Sequence, residues 1–299
     1  MLRLEHVSKT YRVGSFGRSK LAAVRDISFD VQPGEVVSLI GESGSGKSTI
    51  GRMVLRLLTP TSGSIICDDA EISRLRRTDL KEYYRHVQGV FQDPFSSYNP
   101  IFKADRIFGM VHAEFFPRVG ADEWNERVRD ALESVALNPG DVLRKYPHQL
   151  SGGQLQRLLV ARALLLEIRY FVADEIISML DASTRIDVLN LLADLKSRGL
   201  GILFITHDLS LGNYISDTTI ILRHGSIVEM GETEKVFGDA RHPYTQDLLA
   251  SVPLVHAKWR TNGTGGGAAA VAAAANGAPP GTAAPELVLV EDGHLVAAG

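Results

Sequence analysis

Hydrophobic and polar residues alternate from the first positions of the chain. Leu2, Leu4 and His6 fall on every second residue, which predicts a half-buried strand. Val24, Ile27, Phe29 and Val31 predict another strand over 24–31, closed by a turn at Gln32-Pro33-Gly34, and 14–19 reads as a loop between the two. The apolar run Val36-Val37-Ser38-Leu39-Ile40, entered from Glu35, predicts a buried strand. These early antiparallel strands are expected to join it in a mixed sheet. Met53, Val54, Leu57 and Leu58 recur at helical spacing and predict a helix over 50–58. Strands are expected at 64–67 and 87–91.

From about 93 to 166 the strand pattern gives way to helices, as in an inserted helical subdomain. Trp124, Val128, Ala131, Leu132, Val135 and Ala136 share one helix face, and Asn138-Pro139-Gly140 breaks that helix. Ser151 is placed to cap a helix carrying Leu155, Leu158, Leu159, Ala161 and Leu165. Beyond it come a buried strand over 170–173, a helix over 182–198, a strand over 201–205 and a hairpin of 218–222 with 226–230. Strands alternating with helices imply an α/β core with parallel pairing. Residues 261–285 are Gly, Ala and Pro with almost no charge, the composition of a linker, and 286–296 reads as a short hairpin around Asp292-Gly293.

The candidate chemistry starts between the strand over 36–40 and the helix after it. Gly41-Glu42-Ser43-Gly44-Ser45-Gly46-Lys47-Ser48-Thr49 fits G-x-x-x-x-G-K-[ST], a phosphate-binding P-loop. Strand, glycine-rich turn and helix gather backbone N–H groups at a helix N-terminus, where an anion is favoured. Lys47 would reach the β- and γ-phosphates, and the Ser48 hydroxyl would meet Mg²⁺. The strand over 170–173 ends in Asp174-Glu175, at the strand end where ligands of open α/β sheets sit. Tyr11 either stacks on a base or packs in its sheet; position alone favours packing.

Composition adds limits. The chain has 299 residues, 44% hydrophobic and 22% charged, as expected for a globular protein of one large or two small domains. A net charge of −3 argues against an overall nucleic-acid footprint, so no nucleic-acid partner is expected. The single cysteine, Cys67, sits in an apolar strand and reads as a small core residue; a reducing location fits. The N-terminus lacks the apolar core of a signal peptide, and no apolar run approaches the roughly 20 residues of a membrane helix. A membrane process would need other chains for its channel.

Leu150-Ser151-Gly152-Gly153-Gln154, followed by Leu155-Gln156-Arg157, resembles the signature of the ATP-binding cassette (ABC) ATPases. The family's other parts stand in order: the P-loop, Gln92 after an apolar strand, the signature, Phe171-Val172-Ala173-Asp174-Glu175, Ser178-Met179-Leu180-Asp181 and Thr206-His207-Asp208. The resemblance spans roughly 2–255. It implies an α/β fold with a P-loop, RecA-like core and mixed β-sheet, an antiparallel β subdomain and an inserted α-helical subdomain. The ATPase domain would cover 1–258, with the helical subdomain at about 93–166, a linker at 259–285 and a hairpin tail at 286–299.

The resemblance also implies roles. ATP would be held by Gly41, Ser43, Gly44, Ser45, Gly46, Lys47, Ser48 and Thr49, with Tyr11 stacked on adenine. Mg²⁺ would be held by Ser48, Gln92 and, through water, Asp174. Glu175 would act as general base, His207 would align the γ-phosphate and water, and Gln92 would report nucleotide state to the helical subdomain. Ser151, Gly153 and Gln154 would contact ATP held by a second cassette, identical or paralogous, in a head-to-tail dimer that opens on hydrolysis.

Phe91-Gln92-Asp93-Pro94-Phe95-Ser96-Ser97-Tyr98-Asn99-Pro100 and His242-Pro243-Tyr244-Thr245-Gln246-Asp247-Leu248-Leu249 are similar to the ATPase subunits of oligopeptide/dipeptide/nickel-type importers, some of which import oligosaccharides. That resemblance implies a peripheral protein on the cytoplasmic face of the membrane, with permease subunits as direct partners and an extracytoplasmic solute-binding protein as an indirect one. Phe95 and Tyr98 are expected to be exposed and to receive a permease helix, the alternative being that they pack the helical subdomain. Ile176-Ile177 stands where the wider family has Pro-Thr, and the C-terminal cysteine cluster of some peptide-importer ATPases is absent, so no iron–sulfur centre is expected. The alternative is a soluble ABC ATPase of DNA repair or translation; those usually carry two cassettes or a long coiled coil, and no long heptad run is present here.

Overall fold

The structure is a computed structural model and describes residues 1–13, 19–76, 78–178, 180–251, 284–291 and 293–298. Most of the expected loop at 14–19, Met179, Asp292 and nearly all of the expected linker at 261–285 lie outside the described residues.

In chain order the first elements are β1 (Leu2–Val13), β2 (Ser19–Val31), β3 (Val36–Ile40), α1 (Lys47–Val54), β4 (Ser62–Cys67), β5 (Ala70–Glu71), α2 (Leu80–His86) and β6 (Val87–Val90). The helical stretch follows, with α3 (Arg106–Phe115), α4 (Ala121–Ser134), α5 (Pro139–Val142) and α6 (Gly152–Leu164). Strand and helix then alternate through β7 (Tyr170–Asp174), α7 (Ala182–Ser197), β8 (Gly201–Thr206), α8 (Leu209–Ile215) and β9 (Thr218–Arg223). The chain finishes with β10 (Ser226–Glu232), α9 (Thr233–Gly238), α10 (Pro243–Ala250), β11 (Leu287–Glu291) and β12 (His294–Ala297).

These strands make an eight-stranded mixed sheet, β11-β12-β10-β9-β3-β8-β7-β6, and a four-stranded antiparallel sheet, β2-β1-β4-β5. The early strands therefore do not join β3, as their alternation alone suggested they would, but form the antiparallel subdomain that the family resemblance implied. Both edges of β1 are taken, one by β2 and the other by β4, so the pair closes into its own sheet. In the large sheet β9, β3, β8, β7 and β6 run parallel, while β10, β12 and β11 are added antiparallel. Every residue of β3, β7 and β8 is buried, as expected where helices cover both faces. One apolar cluster joins these strands to α6, α7 and the helical stretch, and another joins them to α1 and the antiparallel sheet.

Several local expectations are corrected. His6 is exposed because β1 bulges there: its φ is +50°, the register with β2 shifts between Leu4 and Val7, and Val7 takes the buried place. α1 stops at Val54 rather than running to 58, since Arg56 adopts a left-handed φ of +54° and Leu57 is left 55% exposed. Ala136 lies past the end of α4, exposed and at φ +54°, so it is not on that helix's apolar face. Asn138 starts a helix as well as following one, its Oδ1 accepting the Gly140 N–H at 3.0 Å to cap α5. Cys67 is buried, and burial first, then Asp68, pushes its thiol up to about 12.

Tyr98 is the main correction. It is 8% exposed within the large core cluster, and its hydroxyl donates to the Leu155 carbonyl at 3.2 Å, tying the 95–98 turn to α6. Phe95 beside it is 49% exposed. A large aromatic side chain has packed against the subdomain instead of facing solvent. Tyr98→Ala is accordingly expected to lower folding stability by about 3 kcal/mol, read as a lowered urea midpoint; a wild-type midpoint would show that the ring is not part of the core.

Candidate functional site

The site stands at the C-terminal ends of β3, β8, β7 and β6. β3 runs into the loop at 41–46, which ends in α1. Gly44 and Gly46 have φ of +83° and +106°, and a Cβ on Gly46 would lie 2.4 Å from the Ala23 carbonyl. Only glycine satisfies both demands at Gly46. α1 begins at Lys47 without a side-chain cap, which leaves first-turn N–H groups for a ligand.

A cleft of about 700 Å³ brings together Tyr11, Ser43, Gly44, Gly46, Lys47, Ser48, Thr49, Gln92, Glu175 and His207. Leu21 and Ala23 of β2 complete its wall and were not anticipated; alternation along a strand carries no sign of them. Gly41 and Ser45 do not line it. Ser45 is buried, its Oγ 3.4 Å from Lys47 Nζ, and Gly41 offers its carbonyl to Lys47 from behind.

The charges are close and partly desolvated. Lys47 is 5% exposed and donates to the carbonyls of Gly41 at 2.6 Å and Glu42 at 2.9 Å. Burial lowers its pKa, opposed by Glu175, Asp174 and Glu42. Asp174 accepts from the Ser48 hydroxyl at 3.1 Å. Burial raises its pKa; the Ser48 bond lowers it, Glu175 raises it again, and Arg52 and Lys47 lower it. Such a carboxylate gains from a nearby cation. The Ser48 hydroxyl, the Asp174 carboxylate and the Gln92 side-chain amide offer oxygen donors, the set that suits a small hard divalent ion.

Glu175 follows Asp174 in a left-handed conformation, φ +51°, its N–H donating to the Ile205 carbonyl at 2.9 Å. A non-glycine residue held there is strained by about 1–3 kcal/mol, a state found where surroundings over-determine the backbone. His207 Nδ1 stands 3.4 Å from Glu175 Oε1. The loop bearing His207 is fixed from below: Asp208 Oδ1 caps α8 through Ser210 and Leu211, and Thr206 Oγ1 accepts the Asp208 N–H. Ile176 and Ile177 are 1% and 2% exposed and belong to the large core cluster, so the departure from Pro-Thr is absorbed by apolar packing.

Ser151, Gly153 and Gln154 do not line the cleft. Ser151 Oγ accepts the Gln154 N–H at 3.2 Å and Gln154 Oε1 accepts the Ser151 N–H at 2.9 Å, a capping box at the start of α6. A Cβ on Gly153 would come within 2.5 Å of Thr184 Cγ2, so this start is pressed against α7.

A buried-lysine phosphate loop beside an Asp-Glu pair and a histidine defines a nucleotide-binding P-loop protein. Residues 24–178 match the family model described as ABC transporter, and 228–279 match the one described as oligopeptide/dipeptide transporter, C-terminal region. The chain is 43% identical over 263 residues to a peptide import ATP-binding protein of Brucella ovis, covering 87% of this chain and 81% of the relative. It is 42% identical over 242 residues to the oligopeptide transport ATP-binding protein OppF of Streptococcus pyogenes, covering 80% and 78%. Among solved structures it resembles the dimeric, post-hydrolysis ATP-binding cassette MJ0796 bound to ADP and Pi, with TM-score 0.70, 28% identity and coverage of 78% and 99%. It also resembles cbiO1 of Clostridium perfringens, part of the ABC transporter complex cbiONQ, with TM-score 0.68, 26% identity and coverage of 80% and 90%. The chain belongs to the ABC transporter family of ATPases.

Gly46→Ala forces a side chain into a left-handed backbone and against Ala23. It is expected to weaken nucleotide binding about tenfold or more, since about 1.4 kcal/mol of strain suffices. Calorimetric titration with ADP checks this, and wild-type affinity would contradict the steric account.

Proposed function

We propose that the chain is the ATP-hydrolysing subunit of an ABC importer, driving uptake of peptides or a related solute, oligosaccharides included, through separate permease subunits. The observation that carries the reading is the meeting of Lys47, Gln92, Glu175 and His207 in one cleft, in a chain whose C-terminal region matches that of oligopeptide/dipeptide transporters.

In this reading the loop amides and Lys47 bind the phosphates and Tyr11 stacks on the adenine. Tyr11 is half-buried at the rim of the cleft, with Lys9 Nζ 5.4 Å from its ring centre. Mg²⁺, held by Ser48, Gln92 and, through water, Asp174, would neutralise charge on the β- and γ-phosphates. Glu175 takes the proton of the attacking water, and His207, 3.4 Å from it, holds the water and γ-phosphate in line. Ser151, Gly153 and Gln154 serve the site of a second cassette, identical or paralogous, and the dimer opens when the γ-phosphate is lost.

The ATPase domain takes in 1–258 with the helical subdomain at about 93–166, and the 259–285 linker leads to the 286–299 tail. Among the described residues no helix is long and apolar enough to cross a membrane. In this reading separate permeases supply the channel, and the chain sits on the cytoplasmic face with a solute-binding protein as indirect partner and no nucleic-acid partner. Phe95, Ile101, Phe102 and Met110 are 49%, 76%, 41% and 61% exposed on the 95–102 loop and α3, an apolar set suited to a permease helix.

Glu175→Gln keeps the side chain's size and removes the base. Hydrolysis in the permease-bound protein is expected to fall roughly 10²–10⁴-fold while ATP still binds, and ATP-driven peptide uptake into vesicles falls with it. Near-normal hydrolysis would remove Glu175 from its role, and ATP-independent uptake would remove the chain from its own.

A further inference from the structure

The loop that holds the phosphates is braced by a residue far away in sequence. The peptide group joining Gly41 to Glu42 is bracketed on both sides. Its carbonyl accepts from Lys47 Nζ at 2.6 Å, and its N–H donates to the Tyr244 hydroxyl at 3.3 Å across 202 residues. The next carbonyl, of Glu42, accepts Lys47 Nζ at 2.9 Å and the Ser45 N–H at 3.2 Å. The orientation of one peptide thus decides where the Lys47 ammonium rests, and Tyr244 holds the other end of that peptide.

Tyr244 is itself well anchored. It is 6% exposed in the cluster of Ile40, Leu209 and Val236, and the Arg223 guanidinium lies 4.8 Å over its ring. Its N–H donates to His242 Nδ1 at 3.0 Å. The N–H groups of Arg241 and His242 donate to the Glu229 carboxylate at 2.8 and 3.1 Å, and His294 Nε2 on β12 stands 2.8 Å from the same carboxylate. Glu229 and His294 are both fully buried. A hydrogen-bonded path therefore runs from the C-terminal hairpin through Glu229 and the turn at 241–242 to Tyr244, and from Tyr244 to the loop.

We infer that Tyr244 is a positioning residue for the nucleotide site, through which the C-terminal region fixes the Gly41–Glu42 peptide and hence the Lys47 side chain. The inference rests on the reading of the 41–49 loop as the nucleotide seat. Removing the hydroxyl leaves the Glu42 N–H without its partner and lets the peptide turn, so the cradle must be ordered when the nucleotide arrives. Glu175 and His207, carried on other strands, keep their geometry, so in turnover the loss falls on KM for ATP rather than on kcat.

The test is calorimetric titration of the full chain with Mg·ADP for the wild type, Lys47→Ala and Tyr244→Phe, with the melting temperature of each. Binding by the wild type and weaker binding by Lys47→Ala establish the nucleotide seat on its own. Tyr244→Phe is then expected to bind about three- to tenfold more weakly with its melting temperature within about 2 °C of wild type. Wild-type affinity in Tyr244→Phe overturns the positioning role while leaving the nucleotide seat standing. Weaker binding that comes only with a lowered melting temperature also overturns it, because general loosening then accounts for the loss. No binding by the wild type strikes the nucleotide seat itself.

Discussion

Parallel pairing of β3, β8, β7 and β6 is the constraint on which the site depends. Parallel strands all end on the same side of their sheet, so the loops that leave them are neighbours in space whatever their distance in sequence. The register sets the depth. Ile40 lies opposite Thr206, Asp174 opposite Ile205 and Val90 opposite Ala173. The phosphate loop, His207, the Asp174-Glu175 pair and the loop to Gln92 consequently leave the sheet at nearly one level. Burial on both faces fixes that register, because every residue of β3, β7 and β8 is buried, and a slip would move apolar side chains out of the packing they make.

What the sheet assembles is not at rest electrostatically. Lys47 is desolvated beside three carboxylates, and Asp174 is pushed towards its neutral form by burial while accepting a bond from Ser48. In the proposed reading a polyphosphate and a divalent cation would complete this arrangement, one satisfying the lysine and the loop amides and the other the oxygen donors. The strained backbone of Glu175 has the same logic. Its N–H is tied to Ile205 on the neighbouring strand, which holds the carboxylate towards His207 against the backbone's preference.

Chemistry that is local in sequence was legible before the structure. The spacing within 41–49 and the apolar runs ending at Ile40, Asp174 and Thr206 contain the information that places them. The Ser151 cap was legible for the same reason: capping box and helix lie within a few residues. What escaped depends on long-range pairing or on left-handed backbone at residues that are not glycine. The bulge at His6 and the stop at Arg56 are of the second kind. The separation of β1 and β2 from the main sheet, which the family resemblance implied and the alternation did not, is of the first, since it turns on β4 occupying the other edge of β1. Tyr98 was expected to be exposed on its loop, and Tyr244 stood out only as part of a stretch similar to a family. One is committed to a carbonyl on α6 and the other to an N–H in the phosphate loop, partners that no local pattern names.

The most direct test of the account is hydrogen exchange of the full chain with and without a non-hydrolysable ATP analogue and Mg²⁺. The account predicts that the amides of Gly44 to Thr49 exchange more slowly when nucleotide is present, because those N–H groups bind phosphate oxygens, while β4 and β5 on the antiparallel sheet stay unchanged. Unchanged exchange at Gly44 to Thr49 under saturating nucleotide would contradict it.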